Sequence, residues 1–263
     1  MILLPDLPEV IISSTPLIRC LTRQVDNSSV YVALPEAHTW MIEGNPSVEK
    51  SLSYREKPDE LIDEVRDLLP DYLIDLEGKR LFRRLKRKTK ILDFCIGRVK
   101  RTEANTARER MFRTVHLFDV EDDMKGPEIS FPVFNPEWLP EKFLGGFAVL
   151  SLDSTELSSR PDEDYLVDLV SLIEKPVVIS GPRENRSLAE RIGQRTGCTV
   201  FPICGDFAVK EQVSILSSSK GVIGSHEFWF AVSDALQKPH VNLAMENLPD
   251  LQQTALQVRK WFE

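Results

Sequence analysis

Strand and helix signals alternate along almost the whole chain, and this alternation limits the fold more than any other feature. In the first half "MILL" is a short apolar start and "STPLIRCLTRQ" reads as a helix with Pro16 near its beginning. "SSVYVALP" is β-branched and aromatic, hence a strand. "PDELIDEVRDLLP" spaces Leu61, Ile62, Val65, Leu68 and Leu69 like one helix face, and "DYLIDL" reads as a strand. "GKRLFRRLKRKTK" reads as a basic helix and "KILDFCIG" as a further strand. Residues 119 to 146 break the rhythm with Pro127, Pro132, Pro136, Pro140 and three glycines. Alternation then resumes: "FAVLSL", "KPVVIS", "GCTVFPI", "KGVIGS" and "PHVNLA" read as strands, separated by helical stretches. The expectation is an α/β protein of two layered parallel-sheet domains, 1–118 and 147–263, joined by a Pro-rich segment 119–146, with the ligand cleft between them.

Charge narrows the function. The 263 residues carry a net charge of -8. Lys79 to Arg113 nevertheless holds 14 Lys/Arg against three Asp/Glu, leaving 19 and 38 for the rest. A local basic excess inside an acidic protein points to one surface that meets an anion. Arg80, Arg83, Arg84 and Arg87 fall at three- and four-residue spacing and share a helix face. They are the candidate anion-binding residues; a merely solvated face is the plainer reading. No aromatic platform is interleaved with these charges, so nucleic acid is not the expected partner. Cys20, Cys95, Cys198 and Cys204 form no CxxC pair and have no metal-ligand spacing, which suits reduced thiols. The apolar runs are far shorter than a membrane span, and "MILLPDLPEVII" lacks a basic leader. The expected location is cytoplasmic, with the basic helix available for peripheral contact at the inner membrane face.

The stretch "GVIGSHEFWFAVSDALQKPHVNL" has the strand-loop-helix-strand order of a nucleotide site. Its loop holds His226, Glu227, Phe228 and Trp229 where glycines and serines would let phosphate approach the backbone. A second strand-to-helix turn is "SGPRE", with Ser180, Gly181 and Arg183.

The order of these pieces resembles the family-9 glycosyltransferases, the bacterial heptosyltransferase group. The segments that carry the resemblance are "DLPEVIISSTPLIRCL", "NPSVEKSLSY", "DYLIDLEGKRLFRRL", "VVISGPRENRSLAERI" and the Gly221–Leu243 stretch. It implies a GT-B fold, two Rossmann-like domains facing across a cleft, and an inverting transfer from a nucleotide-sugar donor to an anionic glycan or lipid-linked acceptor. The donor is then a substrate and no cofactor is implied; no Asp-x-Asp pair stands in a suitable loop for a metal. The chain departs from the family pattern at several positions. Where Gly-Asp is expected in the first loop it has Pro8-Glu9, so Glu9 is the first candidate base and Asp6 the second. A surface carboxylate in a turn is the plainer reading of Glu9. "SSRPDEDY" keeps Arg160 and Pro161 but has Ser159 where a Lys is expected. In the last loop His226 and Glu227 stand at the usual Asp and Ser/Thr positions, Phe228 at the Gly and Ala231 at the His.

The resemblance assigns donor binding to Arg160, Ser180, Gly181, Arg183, His226 and Glu227. It assigns acceptor binding to Arg80, Arg83, Arg84 and Arg87. Helix capping by Glu227 and packing by the aromatics is the competing reading of the last loop. The function class stays open between an active transferase and a binding or scaffold protein on the same fold, with a sugar, nucleotide or protein partner.

Overall fold

The computed structural model describes residues 1–55, 59–76, 85, 88, 95–96, 106–129, 139–153 and 161–263. The chain divides into two compact units, Met1–Phe131 and Pro132–Glu263.

The first unit is built on a five-stranded parallel sheet: β1 (Ile2–Leu3), β2 (Tyr31–Pro35), β3 (Lys50–Tyr54), β4 (Leu73–Asp75) and β5 (Cys95–Ile96). The order across the sheet is β3-β2-β1-β4-β5. Ile2 pairs with Val32 on one side and Ile74 on the other, so a short apolar stretch at the start of the sequence is the centre of the sheet. Crossovers run through α1 (Pro8–Ser13), α2 (Thr15–Gln24) and α3 (Asp59–Leu68), and α4 (Ala107–Thr114) follows β5. Leu61, Ile62 and Val65 of α3 close on Leu3, Ala33, Leu52 and Leu73 of the sheet. Parallel strands covered by helices are expected to be apolar, which β1 and β2 are, whereas β4 ends on the buried Asp75.

Helix α1 is a short element the alternation does not reveal. Pro8 opens it, and Ser14 closes it by donating its hydroxyl to the Ile11 carbonyl at 2.7 Å. A six-residue 3₁₀ segment, Glu36–Met41, follows β2 and is likewise absent from the sequence reading. The basic helix expected at 79–90 lies outside the described residues except for Leu85, which is buried, and Lys88, which is exposed.

The Pro-rich segment is shared by the two units. Residues 121–128 are held along α2 of the first. The Gln24 amide and the Glu121 backbone exchange two hydrogen bonds, 2.7 and 2.8 Å. Thr15 Oγ1 accepts from the Glu128 nitrogen at 2.9 Å. Arg19, almost fully buried, donates to both oxygens of Asp123 at 2.8 Å and to Glu128 at 3.0 Å. A planar guanidinium suits this two-pronged bond better than an ammonium would.

The second unit repeats the plan. Its strands are β6 (Ala148–Ser151), β7 (Val177–Ser180), β8 (Val200–Pro202), β9 (Gly221–Gly224) and β10 (His240–Asn242), all parallel, in the order β10-β9-β6-β7-β8. The helices are α5 (Glu163–Ile173), α6 (Arg186–Thr196), α7 (Val209–Ser218), α8 (Glu227–Ala235) and α9 (Leu251–Lys260). Leu166, Leu169, Val170 and Ile173 of α5 meet Ile192 of α6 and Val258 of α9 in one core. Gly221 lets β9 pass close beneath the last helix: a Cβ there would stand 2.6 Å from both the Pro239 carbonyl and the Trp261 ring. Every strand and helix expected between 147 and 263 is present.

Candidate functional site

In each unit the first strand is central, the chain builds outward on one side, and it then returns to the other side. This makes a switch point between β1 and β4, and another between β6 and β9. Ligands of open α/β sheets bind beyond the carboxyl ends of the strands at such points.

In the first unit that edge carries Asp6, three residues beyond β1. Its Oδ1 bonds His38 Nε2 at 2.8 Å, with His38 presented by the 3₁₀ segment after β2. The Asp6 side chain is 75% exposed and the imidazole 18%, so the carboxylate faces water and the ring stands behind it. No other group among the described residues binds Asp6. Glu9 lies in the first turn of α1, half-buried, where the positive end of the helix favours a carboxylate. Beside this edge Arg55 donates to Glu36 and holds its carboxyl below the usual range. His38 is not evident from the sequence, because the pair is made by parallel neighbours 32 residues apart.

In the second unit Ser151 and Ser180 end β6 and β7 side by side. The Ser180 hydroxyl is buried without a hydrogen-bond partner among the described residues. Gly181 follows at φ +153°, and its carbonyl accepts from Gly205 at 3.0 Å. A side chain at Gly205 would stand 2.7 Å from the Arg183 Cα, so glycine brings the loop after β8 onto the "SGPRE" turn. The Arg183 side chain is exposed. Cys204 lies beneath the turn, and burial pushes its thiol up to about 12, which leaves it unreactive.

The crevice between β6 and β9 is crossed by a hydrogen bond. Trp229 Nε1 donates to Asp153 Oδ2 at 2.5 Å. The Asp153 nitrogen donates to Ser151 Oγ at 3.2 Å, and Ser225 Oγ reaches the Asp153 carbonyl at 3.5 Å. Trp229 and Phe228 are buried at 3% and 6% exposure, with ring centroids 4.8 Å apart. His226 is the N-cap of α8, its Nδ1 accepting from the Phe228 nitrogen at 3.2 Å. Glu227 is exposed in the first turn. The aromatics of this loop therefore pack inward, and the polar groups left at its surface are His226 and Glu227. Asp153 is a further residue the sequence reading does not single out. Its signal is an acid just past the first strand of the unit, as Asp6 is in the other. Trp229→Phe keeps an aromatic ring and removes the N–H donor; urea unfolding is expected to show a loss of about 1.5–3 kcal/mol. An unchanged midpoint would mean that the bond contributes nothing.

Arg160, Arg80, Arg83, Arg84 and Arg87 lie outside the described residues. Among the described residues no three His, Cys, Asp or Glu side chains gather as metal ligands. Asp162-Glu163-Asp164 has the spacing of a metal-binding Asp-x-Asp pair, but its carboxylates are engaged. Asp162 caps α5 through the Tyr165 nitrogen at 2.8 Å, Glu163 pairs with Arg191 and Arg195, and Asp164 pairs with Arg195. No helix among the described residues is long and apolar enough to cross a membrane.

The glycosyl transferase family 9 structure from Veillonella parvula superposes with TM-score 0.75 at 13% identity, over 92% of this chain and 78% of that one. The fold is that of the family 9 glycosyltransferases. E. coli ADP-heptose lps heptosyltransferase II follows at TM-score 0.71 and 15% identity, covering 92% of this chain and 83% of its own. E. coli heptosyltransferase WaaC, solved with ADP-2-deoxy-2-fluoro heptose, gives 0.69 and 13%, covering 92% and 87%. No family model and no curated protein sequence matches the chain. The family 9 fold is thus carried by a sequence that keeps the strand-helix plan and little else. The two strand orders and the two switch points are what the fold supplies.

Proposed function

We propose that this protein transfers a sugar from a nucleoside diphosphate sugar to a hydroxyl of an anionic glycan or lipid-linked acceptor. The observation that carries the reading is the Asp6–His38 pair at the switch-point edge of the first unit, in a fold whose neighbours include an enzyme solved with an ADP-heptose analogue. Asp6 takes the proton from the acceptor hydroxyl as its oxygen attacks the anomeric carbon. The bond to the diphosphate breaks on the opposite face, and the configuration inverts. His38 holds the Asp6 carboxylate in place, and Glu9 is a second carboxylate one residue past Pro8.

On the donor side the Ser180 hydroxyl, the Gly181 backbone and the Arg183 guanidinium would hold the diphosphate. The exposed Glu227 and the half-buried His226 of the last loop would meet the ribose. The anionic character of the acceptor rests on the basic stretch from Lys79 to Arg113, including Arg80, Arg83, Arg84 and Arg87, and Arg160 would assist with the donor phosphates. No divalent ion is needed: charge on the leaving diphosphate would be met by guanidinium and backbone N–H groups.

A thermal shift screen of ADP, UDP and their sugar derivatives tests the donor site. A nucleotide at 100 times its dissociation constant adds about 2.7 kcal/mol of stability. A Tm rise with a nucleoside diphosphate, lost in Glu227→Ala, supports the donor site that the proposed transfer requires. Absence of any shift at millimolar nucleotide removes the donor site and with it the proposed reaction.

A further inference from the structure

A second cavity stands at the opposite edge of the first unit's sheet, where β1, β2 and β4 begin. Its volume is about 460 Å³. That is within the range of small-molecule sites. It lies at the amino ends of the strands, whereas Asp6 and His38 lie at the carboxyl ends, so it is no part of the site described above. Two loops wall it, one entering β2 and one entering β4, and Phe118 closes a side.

We propose that this cavity binds a small organic cation with an apolar or aromatic body. Three observations lead there. First, the charged side chains that line it are both carboxylates, Asp26 and Asp71, although the chain carries 33 Lys and Arg. The Met1 amine at the same edge donates to the Tyr72 carbonyl at 2.7 Å, and burial lowers its pKa to about 6 against the opposing pull of Asp71.

Second, three aromatic rings line the cavity: Tyr31, Tyr72 and Phe118. Tyr72 and Phe118 meet edge to face, centroids 4.8 Å apart and planes at 83°. This leaves π faces available to an ammonium group, a contact that strengthens as water is excluded. Third, one large apolar side chain stands exposed at a rim that is otherwise polar, with Asn27 and Ser29 beside the carboxylates. Leu69 is 72% exposed, and its backbone is left-handed at φ +44°. A bulky residue rarely adopts that conformation, and glycine is usual at such a helix end. The strained turn sets the leucine at the mouth of the cavity and carries the chain on to Asp71 and Tyr72. Carboxylates, ring faces and an exposed leucine together match a protonated amine on an apolar body.

The test is calorimetric titration of the full chain with tryptamine and with tryptophol, which replaces the ammonium by a hydroxyl. One saturable site for tryptamine is expected, at least tenfold tighter than for tryptophol. Asp26→Asn with Asp71→Asn should weaken tryptamine at least tenfold without moving Tm, because both side chains are exposed. Tyr72→Leu should weaken it with both carboxylates in place. Absence of saturable binding, equal binding of tryptophol, or an unchanged affinity in the double variant would each overturn the proposal. Nucleotides take no part in the experiment, so its outcome is independent of the proposed transferase activity.

Discussion

Asp6→Asn is expected to lower the rate of sugar transfer by about 10²–10⁴-fold, the range over which a positioned general base acts. The amide keeps the size of the carboxylate and can still accept from His38, so the fold and donor affinity should hold. Only the ability to take the acceptor proton is lost. Glu9→Gln, in the first turn of α1, is expected to change the rate much less. Initial rates at saturating nucleotide sugar measure both. If Glu9→Gln carried the large loss and Asp6→Asn little, the base would be the carboxylate on the helix and not the one paired with imidazole. His38→Ala should fall between the two, since it leaves the carboxylate in place but unsupported.

Arg19→Ala is expected to destabilise the first unit by about 3 kcal/mol in chemical denaturation, at the low end of the cost of breaking a buried ion pair. The low end applies because the partner carboxylates reach water: the Asp123 side chain is 19% exposed and Glu128 36%. Once Arg19 is removed, both can rehydrate. The same bond sets a response to acid. Hydrogen bonding to Arg19 holds the Asp123 carboxyl well below the usual carboxylate range. A depressed folded-state pKa gives stability that is fully present above the unfolded value, about 3.9, and is lost as pH falls through the folded one. Wild-type stability should therefore drop in strong acid, and Arg19→Ala should flatten that part of the curve. A mutant as stable as the wild type, with an unaltered acid limb, would mean that 121–128 is held along α2 by its backbone bonds alone.

What the sequence shows of this fold depends on how completely each element is buried. "VVIS" and "GVIG" have every residue buried, so their apolar runs announce β7 and β9 without ambiguity. Helix α4 is less visible because Met111 and Thr114 are its only buried residues among many charges. Helix α1 is masked by its length and by Pro16 just beyond it, which draws the apparent helix start forward. For the site, residue type close to a strand end is a usable signal, and Asp6 stands at such a place although the resemblance ranks it second to Glu9. The same signal marks Asp153, once β6 is seen to occupy the place in its sheet that β1 occupies in the other. His38 has no such signal. Its role comes from where β2 ends beside β1, which is a property of the sheet and not of the local sequence. The direction in which Trp229 points is likewise settled by packing: its indole lies across the crevice because Asp153 offers it an acceptor.

The central position of β1 and β6 has a consequence during synthesis. Each pairs early with the strand made next, but its second edge waits for a partner far along the chain, Ile74 for Ile2 and Gly221 for Ala148. Until that partner leaves the ribosome, a short apolar strand presents open N–H and C=O groups to any other chain, as an aggregation-prone edge does. The chain passes through this exposed stage twice, once for each sheet.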